Sequence, residues 1–283
     1  MLNRPGRSDQ QESSTFLLAE NDVAFLARPE LRPIRLQLEL LKPELVMREH
    51  GVISTIVVFG SARVPTPEEA ANHVTRAEAT AAALPDDPVA AQRLAAAKRL
   101  VTYSRYYGVA RDFGALVSSA CQVGRTCDYV MITGGGPGIM EAVNRGADDV
   151  GAKSIGLNIA LPFEQQPNRY IHPGLCFNFH YFAMRKMHFL LRARALVFFP
   201  GGFGTLDEMF EALTLIQTRK ISKMPCVLVG KEYWEKLIDF DFLVAEGMVA
   251  AEDLKLFRYA ETAEEIWKTI QGYFVKHPEG PRG

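Results

Sequence analysis

The sequence predicts an α/β protein: a doubly wound parallel sheet of about seven strands, helices on both faces, and a helical appendage at the N-terminus. Short apolar runs without charge recur along the chain. Ala195-Leu196-Val197-Phe198-Phe199 is the clearest, and such runs read as strands buried on both faces. Between them lie stretches whose apolar residues return at helical spacing, as Leu206, Phe210, Leu213 and Ile216 do. Two of the runs also end in glycine clusters where a strand gives way to a helix: Gly134-Gly135-Gly136-Pro137-Gly138, and Pro200-Gly201-Gly202-Phe203-Gly204-Thr205. That edge of an open α/β sheet is where ligands bind.

Length and composition bound the answer. A chain of 283 residues forms one large α/β domain or two small ones, with a sizeable core. A formal net charge of −1 gives no electrostatic footprint for nucleic acid or an anionic membrane. The four cysteines (Cys121, Cys127, Cys176, Cys226) include no C-x-x-C pair, and the six histidines have no metal spacing, so no metal site is expected. Buried free thiols fit a reducing cytoplasm, which is the expected location. No apolar run is long enough for a membrane span, and residues 1–15 lack the apolar centre of a signal peptide.

The elements follow in order. Residues 1–15 read as a disordered tail. Residues 16–50 read as a helical extension broken at Pro29, Pro33 and Pro43, with Leu31, Ile34, Leu38, Leu41 and Leu45 forming a stripe that packs on the main domain or on a partner. The remaining chain, 51–283, is expected to be the main α/β domain. Residues 54–59 are the first strand, and Gly60-Ser61-Ala62-Arg63 at its end makes Ser61 and Arg63 candidate anion or sugar contacts. Their alternatives are a helix cap and a surface salt bridge. Residues 64–125 are alanine-rich helix interrupted at Pro85-Asp86-Asp87-Pro88, and Tyr103, Tyr106 and Tyr107 read as helix packing rather than a stacking platform. Further strands are expected at 128–133, 153–158, 175–179, 195–199 and 226–229, with a seventh near 256–259. Helices are expected over 180–194 and 206–218.

Glycines at a strand-to-helix junction let bare N–H groups reach a ligand, and the helix start adds unpaired donors and partial positive charge. The natural occupant is a phosphate. Neither cluster has the G-x-G-x-x-G spacing of a dinucleotide site or the Gly-Lys-Ser/Thr of a P-loop, which argues against NAD(P) and against an ATPase.

Three motifs in this order, Gly134-Gly135-Gly136-Pro137-Gly138-Ile139-Met140, Met184-Arg185-Lys186, and Pro200-Gly201-Gly202-Phe203-Gly204-Thr205-Leu206-Asp207-Glu208, resemble the Lonely Guy family over about residues 51–275. The family comprises cytokinin-activating phosphoribohydrolases and related nucleoside-monophosphate nucleosidases, often mislabelled lysine decarboxylases. The N-terminal fifty residues and the long helical stretch after Arg63 resemble its longer bacterial branch. The resemblance implies a Rossmann-like fold, no cofactor, and hydrolysis of the N-glycosidic bond of a purine nucleoside 5′-monophosphate, AMP or N6-substituted AMP, to free base and ribose 5-phosphate. It implies Glu208 as the group that stabilises the oxocarbenium-like sugar and activates water, and Arg185 as the catalytic arginine. Gly135, Gly136, Gly138, Gly201, Gly202, Gly204 and Thr205 would line phosphate and ribose, with Lys186 and Ser61 beside them. Glu164, Thr214, Arg63 and Glu141 are weaker candidates, Glu141 either facing the base or capping its helix. Family members form dimers that assemble further, so a homo-oligomer, a dimer or a dimer-based hexamer, is expected. No His-Lys dipeptide is present to anchor pyridoxal phosphate, so a decarboxylase has no residue support. The rival readings are a nucleotide sensor without catalysis and a nucleosidase acting on a different nucleoside monophosphate.

Overall fold

The computed structural model describes residues 13–122, 127–161 and 166–278. Seven parallel strands form one sheet: β1 (Thr55–Phe59), β2 (Val130–Thr133), β3 (Ser154–Ile159), β4 (Cys176–Phe179), β5 (Ala193–Phe198), β6 (Cys226–Val229) and β7 (Phe257–Ala260), in the order β4-β3-β2-β1-β5-β6-β7. The chain winds outward from β1 to β4, then restarts on the other side of β1 with β5. This reversal is the topological switch point of a doubly wound sheet, and it opens a crevice at the carboxyl ends of β1 and β5. The expected fold class is the one observed.

Both faces of each central strand are apolar because both are covered. Val57, Phe59, Ile132, Leu157, Leu196 and Phe198 point to one core, shared with Met47, Phe189, Met209 and Trp234. Ile56, Val58, Met131, Ala195 and Val197 point to the other, shared with Tyr106, Phe113, Val143 and Ile266. The first face is covered by α1 (Arg32–Glu49), α5 (Phe182–Leu191), α6 (Phe203–Gln217) and α7 (Lys231–Leu237). The second is covered by α3 (Pro88–Cys121), α4 (Ile139–Asp149) and α9 (Ala263–Lys276). Helix α2 (Pro67–Ala83) packs on α3, and a short α8 spans Phe240–Ala245. The tyrosines of α3 are packing residues: Tyr106 and Tyr107 are buried in the core.

Helices α3 and α4 meet backbone to backbone. A Cβ on Gly146 would overlap the carbonyl of Arg111, and one on Gly114 would overlap that of Val143. Neither neighbour is the movable end of a side chain, so Gly146→Ala forces the helices apart. Overpacking of this kind costs about 1–3 kcal/mol. Thermal denaturation of Gly146→Ala should show a melting temperature lower by several degrees.

The N-terminal extension departs from expectation in one respect. Pro43 lies inside α1 without ending it, and Pro33 sits in its first turn, where the missing N–H costs nothing. Most of the expected disordered tail, residues 1–12, lies outside the described residues, whereas Ser14–Phe16 form a single 3-10 turn. Helix α1 holds both ends of α5. The Glu39 carboxylate accepts from the backbone N–H of His180 (2.6 Å) and Tyr181 (3.2 Å), supplying the cap that α5 lacks in its own sequence. Arg192, just beyond α5, donates Nη2 and Nε to the Glu44 carboxylate at 2.8 and 3.3 Å.

Candidate active site

A cavity of about 350 Å³ opens at the switch point. Four segments converge on it because four strands end there. Gly60 to Arg63 follow β1, Gly134 follows β2, Asn158 and Ile159 end β3, and Gly202, Gly204 and Thr205 follow β5. Helix α5 contributes Phe182, Arg185 and Phe189, and α6 contributes Glu208.

Arg185 and Glu208 therefore face one space. The Arg185 Nε donates to the Leu157 carbonyl at 2.7 Å, and the guanidinium carbon lies 5.2 Å from the centre of the Phe189 ring. Burial lowers its pKa, with the charge of Glu208 opposing that shift. Glu208 is 9% exposed. Burial raises its pKa above the ordinary glutamate value, although Lys186 and Arg185 both pull it down. The net upward direction means that desolvation outweighs the two cations. A carboxylate held in this state is a stronger base than one in water.

The two glycine clusters are not equivalent. Helix α4 is already occupied at its N-terminus: the Ile139 N–H donates to the Ser61 carbonyl at 3.1 Å. Gly138, its N-cap, has φ +71°, and a Cβ there would lie 2.8 Å from the Ala62 carbonyl carbon. Only glycine lets the two loops touch. At α6 the N-cap is Gly202, which supplies no capping side chain. Gly202, Gly204 and Thr205 line the cavity, so the start of α6, with its unpaired donors and dipole, is the place for an anion. Gly201 lies behind it, its carbonyl accepting from the Tyr233 hydroxyl at 2.6 Å, and a Cβ there would overlap Thr205.

Several residues singled out from the sequence lie elsewhere. Lys186 does not line the cavity. One residue beyond Arg185 is about 100° further round the helix, and its Nζ meets Asp207 at 2.8 Å, Glu208 at 3.2 Å and Glu211 at 2.7 Å. Burial works to lower its pKa, but the hydrogen bonds to Asp207 and Glu211 and the charge of Glu208 raise it overall. Lys186 thus orders the acidic row of α6. An amine so firmly protonated is also the opposite of what imine chemistry needs. Glu141 is turned away in the same manner: it accepts from the Tyr107 hydroxyl at 2.9 Å and lines a separate cleft of about 1190 Å³, while its neighbour Met140 lines the cavity. The Thr214 hydroxyl donates to the Phe210 carbonyl at 2.7 Å on the exposed side of α6. Gly135 and Gly136 are held from behind by Asn168 and do not line the cavity. Ser61 and Arg63 do line it, and the Ser61 Oγ accepts from the Arg63 N–H at 3.0 Å. Glu164 lies outside the described residues.

Asn158, Phe182 and Phe189 line the cavity and were not singled out from the sequence. Phe182 and Phe189 stand among other apolar residues of α5, so no local spacing marks them. Asn158 is a polar residue near the carboxyl end of β3, buried to 9% exposure, and its Nδ2 donates to the Phe177 carbonyl at 3.3 Å. A polar interruption at a strand's carboxyl end was the available signal. Among the described residues, no three His, Cys, Asp or Glu side chains are grouped to hold a metal ion, and no helix is long and apolar enough to cross a membrane.

A family model described as "Possible lysine decarboxylase" matches residues 140–270. The cytokinin riboside 5′-monophosphate phosphoribohydrolase LOG3 of Arabidopsis thaliana is 28% identical over 177 residues, covering 62% of this chain and 78% of that protein. The cytokinin riboside 5′-monophosphate phosphoribohydrolase LOG of Oryza sativa subsp. japonica is 28% identical over 151 residues, covering 52% of this chain and 61% of that protein. Among solved structures, the Moco carrier protein of Chlamydomonas reinhardtii covers 79% of this chain and 98% of its own, with a TM-score of 0.46 and 17% identity.

Proposed function

From this likeness to the Lonely Guy phosphoribohydrolases, which the family model and the curated relatives bear out, we propose that the chain is a hydrolase of purine nucleoside 5′-monophosphates. It cleaves the N-glycosidic bond of AMP or an N6-substituted AMP to give free base and ribose 5-phosphate. The observation that carries this reading is the meeting of Arg185 and Glu208 in one cavity, one turn of α6 away from an uncapped helix start.

The 5′-phosphate takes the α6 N-terminus, where Gly202, Gly204 and Thr205 line the cavity. Glu208, one turn on, then faces the ribose. As the C1′–N bond breaks, positive charge develops on the sugar and electrons pass to the base. The Glu208 carboxylate stabilises that charge and takes one proton from the water whose oxygen bonds to C1′. The departing base takes up a proton from solvent on a ring nitrogen, and Glu208 returns to solvent the proton it took from the water. Arg185 offsets the negative charge that builds on the base as the bond breaks. Phe182, Phe189 and Met140 supply apolar surface for the base.

Because Glu208 acts as carboxylate and burial raises its pKa, activity should fall as pH drops through that raised value. The acid limb of kcat/KM is expected above the ordinary glutamate value, near 4.3 in model peptides, and should vanish in Glu208→Gln. A limb at or below the ordinary value would remove Glu208 as the titrating base. Incubation with AMP, isopentenyl-AMP, GMP, IMP and CMP, following free base by chromatography, tests the substrate class; adenine-type bases should be released fastest.

We further propose that the working unit is a homo-oligomer, at least a dimer. Ile34, Leu38, Leu41 and Leu45 of α1 and Phe182, Met187 and Leu191 of α5 are each more than two-fifths exposed, on helices that touch. Such an apolar surface suits a self-complementary contact. Light scattering should give at least twice the monomer mass, and a monomer would contradict it.

A further inference from the structure

Asn168 lies outside the cavity, yet its side chain is committed to the loop that backs Arg185. Its Nδ2 donates to the carbonyls of Gly135 (3.2 Å) and Gly136 (3.0 Å) and to Asn144 Oδ1 (3.0 Å). Its backbone N–H donates to the Gly135 carbonyl as well, at 2.8 Å. The Oδ1 accepts from the Tyr170 N–H at 3.2 Å, which fixes the orientation of the amide. Behind it the network closes on itself. Asn144 and Thr133 are fully buried, Asn144 Oδ1 accepts from the Thr133 hydroxyl at 2.8 Å, and Thr133 Oγ1 accepts from the Gly135 N–H at 3.0 Å. The end of β2, the body of α4 and the segment around residue 168 are thus tied to one loop.

That loop carries Gly134, and Arg185 rests on it: a Cβ on Gly134 would lie 2.7 Å from Arg185 Nη2. Gly135 has φ +76°, a conformation held here by bonds on both sides. We propose that Asn168 is a positioning residue that sets the Gly134–Gly136 backbone against which Arg185 is placed. It does so by holding the two carbonyls back from the cavity. Released, they would turn partial negative charge toward the guanidinium and draw it off its place. Asparagine suits the task because one planar group carries two protons and an acceptor. An aspartate of the same shape has no proton to give and would face three oxygen acceptors with a like charge. The inference rests on the role given to Arg185 in the hydrolysis.

The test is a double-mutant cycle. Asn168→Asp and Asn168→Ser are compared with the parent for AMP hydrolysis, each in the wild-type and in the Arg185→Lys background, with melting temperature recorded. Small displacements at a reacting centre cost up to about 10²-fold. Asn168→Asp should lower kcat at least about 10-fold in the wild-type background, with Asn168→Ser between it and the parent. In the Arg185→Lys background the same substitutions should cost less than about 3-fold, because the contact they maintain is already lost. Equal losses in both backgrounds, or parental kcat in both variants, would overturn the proposal. Should the wild-type chain release no base from any nucleotide, the hydrolase reading fails and the cycle is read on AMP affinity by calorimetry. There, non-additive weakening supports the positioning role and additive weakening overturns it.

Discussion

Arg185→Ala is expected to lower kcat/KM for AMP by about 10²–10³-fold, the loss seen when one preorganised electrostatic contact to a transition state is removed. The side chain is placed from three directions: Nε on the Leu157 carbonyl, the guanidinium over Phe189, and Nη2 against Gly134. Lysine cannot reproduce this, because it lacks the planar fork that bonds to a carbonyl through one nitrogen while another stays beside the loop. Arg185→Lys should therefore recover little. A second effect follows from the electrostatics. Arg185 pulls the Glu208 pKa down, so its removal should move the acid limb of the residual activity to higher pH. Steady-state kinetics across pH read both effects. A variant with parental kcat/KM would take Arg185 out of the mechanism.

Glu208→Gln is the second large effect. Turnover should fall about 10²–10⁴-fold, the range for loss of a positioned acid–base group, while AMP binding by calorimetry is largely kept. Stability should move the other way. The folded-state pKa of Glu208 is raised by burial, so the folded protein binds this proton more tightly than the unfolded chain does. The stabilisation linked to that proton is fully present below the ordinary carboxyl pKa and is lost as pH rises through the raised value. At neutral pH the buried carboxylate is a net cost, which a neutral amide of the same shape does not carry. The melting temperature of Glu208→Gln at pH 7 should equal or exceed that of the parent, and its advantage should shrink on acidification. Lower turnover with equal or higher stability is the pattern of a functional group kept at the expense of the fold. A variant that loses both together would point to a structural role for Glu208.

The sheet was legible because its signal is redundant. Each central strand is an apolar run buried on both faces, and glycine marks the ends of β1 and β2 and opens α6, so period and punctuation agree. Boundaries were less so: the helix expected over 180–194 is α5, Phe182–Leu191, and β5 starts at Ala193. The residues along a strand end or helix were easier to name than the side each one faces. Arg185 and Lys186 are neighbours in sequence, as are Met140 and Glu141, yet in each pair one lines the cavity and the other does not. Helix phase near a terminus is set by how the helix docks, and the sequence within it does not contain that information. Asn144 and Asn168 were invisible for a related reason. Their bonds span 24 residues and run between a helix and a loop, so no local spacing marks them. The unequal duties of the two glycine clusters also depend on a distant contact, the Ser61 carbonyl on Ile139.

The most direct test of the central claim is to incubate the purified chain with AMP and quantify products by chromatography. Adenine and ribose 5-phosphate should accumulate in equal amounts, and neither should form with Glu208→Gln on the same timescale. Adenosine with inorganic phosphate, or intact AMP alongside bound protein, would contradict hydrolysis at the N-glycosidic bond.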